Sequence, residues 1–228
     1  MPSTALITGA SRGLGLALAR ALADRGWRLV LDARGAPALE AARRELAQIT
    51  DVTALAGDVA DDWHRAALVD AAGGRIDALV NNASILGMSP QPALADYPLA
   101  ILQNVLHVNA LAPLGLIQAA LPFLPARARV VNVTSDAAVE AYEGWGGYGS
   151  SKATLEQLTR VLAAERPQLN VYAFDPGDMN TALHQAAFPG EDISDRPPPE
   201  DSIPALLELL EGELPSGRYR ATDLAVAS

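Results

Sequence analysis

Ser135, Tyr148 and Lys152 are a serine thirteen residues before a tyrosine and a lysine four residues after it, three side chains that together can move a proton onto or off an oxygen. If the chain is helical from Tyr148 onward, Tyr148 and Lys152 lie at i and i+4 on one face, close enough for the ammonium to act on the phenol. A free phenol has a pKa of about 10. A nearby positive charge favours the phenolate and would bring the group into use at neutral pH. Ser135 follows the apolar run Arg129 to Thr134, which reads as a buried strand. Its hydroxyl would then stand at a strand's carboxyl end, the edge of an open α/β sheet where ligands bind. A lone Tyr-x-x-x-Lys also occurs on ordinary solvated helices, so the surrounding elements decide its meaning.

Those elements alternate. Leu6 to Thr8 reads as a strand, followed by the turn Gly9-Ala10-Ser11-Arg12-Gly13-Leu14-Gly15 and a helix with Leu14, Leu18, Ala21 and Leu22 at helical spacing, stopped by Asp24-Arg25-Gly26. Glycines there allow positive φ and close backbone approach, and the helix N-terminus offers free amides to a phosphate. The spacing G-x-x-x-G-x-G differs from the general dinucleotide fingerprint and lacks the Gly-Lys-Ser/Thr of a triphosphatase loop, so taken alone it also fits a structural turn. Further strands are read at Trp27 to Leu31, Val52 to Ala56, Ile76 to Val80, Leu169 to Phe174 and Gly217 to Ala221. Helices are read at Ala36 to Ile49, at Asp61 to Gly73 with Trp63, Ala67 and Leu68 facing in, from Tyr148 to about Glu165, and at Pro199 to Glu211. The alternation predicts an α/β fold, a three-layer doubly wound parallel sheet in a single domain over residues 1–228. Asp178 to Asp201, rich in proline and acid, breaks the rhythm and reads as a substrate loop or lid.

Composition narrows the function. The 228 residues carry 17 basic and 27 acidic side chains, a net charge of −10, with no basic cluster, which argues against nucleic acid or anionic membrane as a partner and for a small molecule. The absence of cysteine excludes disulfides, thiolate catalysis and cysteine-ligated metal, and is compatible with a reducing cytoplasm. His64, His107 and His184 lack ligand-like spacing, so no metal is expected. The N-terminal residues carry no basic leader followed by an apolar core, so no signal peptide is expected. Tyr97 to Ala126 is thirty residues without a charge, but Gln103, Asn104, His107, Asn109, Gln118, Pro113 and Pro122 interrupt it. It reads as a helix buried on several sides, partly by another subunit, and not as a membrane span.

Taken together these residues resemble the short-chain dehydrogenase/reductase family over essentially the whole chain. Thr8 to Gly15 looks like its cofactor turn, Asp58-Val59 its adenine-contacting pair and Asn81-Asn82-Ala83 its sheet-stabilising motif. Asn109, Ser135, Tyr148 and Lys152 match its catalytic tetrad, and Pro176-Gly177 its segment beside the nicotinamide. Ser84 departs from the usual glycine after Asn-Asn-Ala. The resemblance implies a Rossmann fold and hydride transfer between a nicotinamide dinucleotide and a carbonyl or secondary alcohol. Tyr148 would act as acid or base, Ser135 would orient the substrate oxygen, and Asn109 would hold a water linking Lys152 to solvent. The implied cofactor contacts are Gly9, Ser11, Arg12, Gly13, Leu14, Gly15, Arg34, Asp58, Val59, Asn82, Ala83, Pro176, Gly177 and Met179, together with Tyr148 and Lys152. The resemblance also implies a homodimer or homotetramer. A binding-only redox sensor with little turnover is the alternative, disfavoured by an intact tetrad.

The end of the second strand, Leu31-Asp32-Ala33-Arg34, decides between cofactors. A carboxylate there serves the ribose 2′-hydroxyl of NAD, and an arginine the 2′-phosphate of NADP. Asp32 stands one place too early in the family pattern, while Arg34, helped by Arg12, suits a phosphate; NADP(H) is favoured. NAD(H), with Asp32 on the ribose and both arginines as surface charges, is the alternative. Around the substrate, Asp136, Tyr142 and Trp145 are the pocket candidates, with Ser84 to Met88 and Met179 to Phe188 beside them. Tyr142 and Trp145 would stack on a flat or aromatic substrate, and Asp136 and Glu140 disfavour a small anion.

Overall fold

The computed structural model describes residues 2–224. In chain order the elements are β1 Thr4–Ile7, α1 Gly13–Ala23, β2 Arg28–Ala33, α2 Ala36–Leu46, β3 Val52–Ala56, α3 Asp62–Ala71, β4 Ala78–Asn81, α4 Leu99–Leu106, α5 Ala112–Ala120, β5 Arg129–Val133, α6 Gly146–Glu165, β6 Asn170–Asp175, α7 Ala182–Ala187, α8 Ile203–Glu211, β7 Gly217–Arg220 and α9 Ala221–Leu224. The seven strands run parallel in the order β3-β2-β1-β4-β5-β6-β7. The order reverses at β1, so the crevice between the carboxyl ends of β1 and β4 is the topological switch point.

The inner strands are mainly apolar because helices cover both faces, whereas the edge strand β7, Gly-Arg-Tyr-Arg, is polar and partly exposed. Successive side chains alternate across the sheet. Ala5, Ile7, Leu29, Leu31, Val131 and Val133 join the cluster that contains Leu18 and Leu22 of α1 and Leu206 and Leu209 of α8. Leu6, Val30, Leu79, Val130 and Val171 enter the opposite cluster with Leu68 of α3 and Leu116 of α5.

Two local expectations are corrected, and a third segment gains detail. Trp63 was expected to face in, and it is 86% exposed. Asp61 caps α3 by accepting a hydrogen bond from the Trp63 amide, and this phase turns Arg65, Leu68 and Val69 inward while Trp63 points out. The long uncharged stretch is not one regular helix: a π turn, His107–Leu111, separates α4 from α5. Leu99–Phe123 is long and apolar enough to cross a membrane by length and composition. Its inner residues Val105, Val108, Asn109 and Leu116 are nevertheless buried against the protein, and it packs on α3 and α6. Finally, the segment 178–201 contains α7 and ends in a short 3₁₀ turn, Pro199–Ser202, that leads into α8.

Candidate active site

A cleft of about 1300 Å³ opens along the carboxyl ends of the strands. It brings together Gly9, Ser11, Arg12, Gly13, Leu14, Arg34, Asp58, Val59, Asn82, Ala83, Pro176, Gly177 and Met179 with Ser135, Tyr148 and Lys152, and also Asp136, Tyr142 and Trp145. Gly15 and Asn109 do not line it; they stand behind its walls.

The glycine turn is built by exclusion. Gly9 has φ +67°, and a Cβ there would lie 2.9 Å from the Ala83 Cα. A Cβ on Gly15 would meet both the Gly9 carbonyl oxygen and the Asn82 Nδ2 at 2.6 Å. Asn82 Nδ2 donates to the Thr8 and Gly9 carbonyls at 2.9 and 3.1 Å, while Thr8 Oγ1 accepts from the amides of Asn82 and Ala83 at 3.0 Å each. The end of β4 is thereby stitched to the turn. Arg12, the residue before α1, provides no side-chain cap, so the first-turn amides of an eleven-residue helix face the cleft with no side-chain acceptor. A phosphate fits that arrangement.

Asp32 does not wait for a ribose. It is 1% exposed, and its Oδ1 lies 2.6 Å from His64 Nε2. Burial raises its pKa above the ordinary carboxylate value, and the hydrogen bond from His64 opposes that rise. Gly57 makes the pairing possible, since a Cβ there would sit 2.3 Å from the imidazole. The His64 partner of Asp32 was invisible in the sequence. Arg34 and Arg12 are exposed and, among the described residues, neither has an acidic partner, which suits them to a phosphate.

At the other end of the cleft, α6 begins two residues before Tyr148, and Tyr148, Lys152 and Glu156 share its buried face. Lys152 Nζ donates to the Val133 carbonyl at 2.8 Å. Burial lowers its pKa to about 8. The Tyr148 phenol is shifted the other way: burial raises its pKa well above the ordinary value, the carboxylates of Asp175 and Asp136 add to the rise, and the Ser84 hydroxyl opposes it. That Ser84 hydroxyl is buried and, among the described residues, has no hydrogen-bond partner within bonding geometry. Burial thus shifts the two groups in opposite directions, each toward its uncharged form. Ser135 Oγ donates to Asp136 Oδ1 at 2.9 Å and accepts from the Ala137 amide at 3.2 Å.

Asn109 lies in the π turn and is fully buried. Its Oδ1 accepts from the Ile85 amide at 2.9 Å, and its Nδ2 donates to the Ile85 carbonyl at 2.9 Å and to Ser151 Oγ at 3.0 Å. The side-chain amide is fully used in locking the turn to the loop after β4 and to α6.

Beyond Tyr148 the wall is apolar and aromatic. Trp145 packs edge-on against Tyr148 with centroids 5.8 Å apart, and Phe188 stands 6.0 Å from Trp145. Leu86, Leu183, Ala186 and Ala187 complete the patch. Tyr142 is 47% exposed and donates to Asp136 Oδ2 at 2.9 Å, so it is tied to the rim. No arginine lines this end; Lys152, already bonded to Val133, and His184 do. The three histidines go separate ways, His64 to Asp32, His107 to the Ala60 carbonyl and His184 toward Asp178.

A family model described as short chain dehydrogenase matches residues 3–192. A rhamnolipid-biosynthesis 3-oxoacyl-[acyl-carrier-protein] reductase of Pseudomonas aeruginosa is 36% identical over 185 residues, 76% of this chain and 71% of the relative. A short chain dehydrogenase structure from Pseudomonas syringae superposes with a TM-score of 0.89 at 30% identity, covering 96% of this chain and 94% of the other. Another, from Escherichia coli CFT073 and solved with NADPH, has a TM-score of 0.86 at 27% identity and 96% coverage of each chain. The family match over most of the chain and the relative at 36% identity show that the chain belongs to the short-chain dehydrogenase family.

Proposed function

We propose that the protein is an NADP(H)-dependent oxidoreductase that interconverts an uncharged carbonyl compound and its secondary alcohol, with Tyr148 as the acid or base. The observation that carries this reading is the buried Tyr148 beside Lys152 in the same cleft as an uncapped helix N-terminus and two arginines without an acidic partner among the described residues. Arg34 and Arg12 would hold the 2′-phosphate, and the α1 amides the pyrophosphate. A bound nicotinamide supplies or accepts the hydride at the substrate carbon.

In reduction Tyr148 donates its proton to the oxygen as that carbon receives hydride, and a neutral phenol is the required starting state. Ser135 turns its hydroxyl from Asp136 to the same oxygen and orients it. Lys152 stabilises the phenolate left behind and returns a proton to it. With the Asn109 amide consumed by Ile85 and Ser151, what the π turn offers a relay water is its main chain. An apolar wall without a free cation favours a neutral ketone or aldehyde with an aryl or alkyl flank over an anionic one. Segment 178–201, whose α7 residues border the cleft, would cover that substrate.

The same reading places the protein in the cytoplasm as a homodimer or homotetramer, supported by the cysteine-free chain and by Leu99, Leu111 and Val161, which are 74%, 52% and 43% exposed on α4, the π turn and α6. Sedimentation showing only monomer at micromolar concentration would remove the assembly.

The test is the loss of NADPH absorbance across neutral aryl and alkyl ketones, aldehydes and quinones, with carboxylated analogues and Tyr148→Phe as controls. Turnover of neutral carbonyls that vanishes in Tyr148→Phe supports the reading. Tight NADPH binding with no carbonyl turned over would instead favour the redox-sensor alternative.

A further inference from the structure

Arg218 lies on β7, beyond the family-model match at residues 3–192, and no sequence motif pointed to it. Its guanidinium reaches three elements at once. Nε donates to Glu156 Oε1 at 2.9 Å, and Nη2 donates to Asp175 Oδ2 at 2.9 Å and to the Ser135 carbonyl at 3.3 Å. Glu156 is fully buried one helical turn beyond Lys152 and also accepts from Thr134 Oγ1 at 2.8 Å. Asp175 is 4% exposed, and its Oδ1 accepts from the Gly177 amide at 3.1 Å. One planar fork therefore joins the residue that carries the serine hydroxyl, the helix that carries Tyr148 and Lys152, and the residue that holds Pro176-Gly177.

We propose that Arg218 is a positioning residue of the active site: it fixes the carboxyl ends of β5 and β6 to α6, and it supplies the positive charge that offsets the buried carboxylates of Glu156 and of Asp175, the second of which acts on Tyr148. The proposal rests on the catalytic reading of Tyr148 given above.

The geometry assigns this task to arginine. A fork presents several donors in fixed directions, whereas a lysine ammonium is a point charge on a flexible stem. The other cations near these carboxylates are weaker partners. Arg160 approaches Glu156 Oε2 at 3.4 Å with a side chain 61% exposed, and Arg220 approaches Asp175 at 3.8 Å with a side chain 46% exposed. Solvent screens both. The charged groups around Tyr148 are Lys152 on its own helix, Asp175 at the end of β6 and Asp136 after β5; the two carboxylates disfavour the phenolate. Loss of the Arg218 charge leaves Asp175 with only the longer, solvent-screened approach of Arg220 and disfavours the phenolate further.

The experiment compares wild type with Arg218→Lys, Arg218→Gln, the double variant Glu156→Gln/Arg218→Met and Tyr148→Phe, reading kcat, NADPH Kd, Tm and the pH profile of kcat/KM well below each Tm. Small displacements at a reacting centre are costly, so kcat of Arg218→Lys is expected to fall about tenfold to a hundredfold. NADPH Kd should change little, because the arginines and the α1 amides are untouched. The basic limb of the pH profile should move to higher pH in Arg218→Gln. If that variant does not fold, the double variant, which removes the buried Glu156 charge together with its partner, carries the same readouts. A lowered Tm with kcat and the pH limb both unchanged would overturn the proposal and leave Arg218 a structural clamp. If Tyr148→Phe retained turnover, the catalytic reading itself would fall; a dead Tyr148→Phe beside an unimpaired Arg218→Lys would overturn only the positioning role.

Discussion

The Lys152 ammonium lies 5.5 Å from the centroid of the Tyr148 ring and donates at 2.8 Å to the Val133 carbonyl, so it meets the phenol across its π face. The lysine is held by β5 on one side and by the tyrosine ring on the other, and it is 2% exposed.

Burying that ammonium costs stability, and the cost depends on pH. Its pKa falls from the ordinary 10.5 to about 8. Below pH 8 the folded protein carries the full penalty, about 3 kcal/mol. Between pH 8 and 10.5 the unfolded chain binds a proton that the folded one does not, so stability rises with pH there. Lys152→Met, which keeps the buried stem and forfeits a hydrogen bond of about 1 kcal/mol, is expected to melt about 5 °C higher than wild type at pH 7. The gap should close as pH approaches 10, while turnover is lost at every pH. Thermal melts across that range check the sign; a variant that melts lower at pH 7 would show that the bond to Val133 outweighs desolvation.

Tyr148→Phe removes one oxygen and leaves the ring against Trp145. Turnover is expected to fall about 10²- to 10⁴-fold, the usual worth of a positioned proton donor. NADPH Kd, followed by fluorescence titration, should stay within about threefold because the α1 amides and the two arginines are untouched. A large loss of NADPH affinity would mean that the phenol serves binding more than proton transfer.

Much of this arrangement was legible in the sequence because it depends on local chemistry. Gly9 and Gly15 marked a turn that a Cβ would block, the apolar runs alternating with helical stretches marked the strands of a parallel sheet, and Tyr148 and Lys152 fell on one helix face by spacing alone. What was missed depends on contacts distant in sequence. The bond from His64 to Asp32 requires Gly57 to leave room for an imidazole, and nothing local to Asp32 announces it. Trp63 looked like core by type and was turned outward by the cap at Asp61. Arg218 sits in a four-residue strand after an irregular segment, with partners 43, 62 and 83 positions away. The π turn has no spacing signature of its own; Asn109 and Pro113 interrupted the apolar pattern without saying that the helix would widen.

That widened turn is held by Asn109. Asn109→Ala strips partners from the Ile85 amide and carbonyl and from Ser151, in a place where the Asn109 side chain is fully buried. Each buried group left unpaired costs about 1–3 kcal/mol, so a Tm loss of about 10 °C is expected for the pair of orphaned Ile85 groups. Ser151→Ala should be milder, since Asn109 keeps both bonds to Ile85. Equal melting of the two variants would place the strength of the turn elsewhere.

Gly15→Ala tests the turn on the cofactor side. Its Cβ would stand 2.6 Å from the Gly9 carbonyl and from Asn82 Nδ2, the atom that ties β4 to the turn. Relief requires the turn to shift by several tenths of an ångström, toward the space where a pyrophosphate would sit. NADPH Kd should rise roughly tenfold or more, with little change at Tyr148 and so little change in kcat at saturating cofactor. An unchanged Kd would show that the first-turn amides do not hold the pyrophosphate.

Cofactor choice turns on two neighbouring residues that behave differently. Arg34 is exposed with no acidic partner among the described residues, free to meet a 2′-phosphate, and a hydrogen bond to a charged group is worth about 1.5–3 kcal/mol. Arg34→Ala is therefore expected to weaken NADPH roughly tenfold to a hundredfold, with an effect that shrinks as salt is raised, and to leave NADH nearly unchanged. It should not convert the protein to NADH use. The carboxylate that would be needed to bind a ribose 2′-hydroxyl is Asp32, and Asp32 is buried and engaged by His64 at 2.6 Å. Removing the arginine thus gives a protein that binds both cofactors weakly. Fluorescence titrations with each cofactor at low and high salt separate the outcomes: strong NADH binding in wild type or in Arg34→Ala would mean that Asp32 leaves His64 for the ribose.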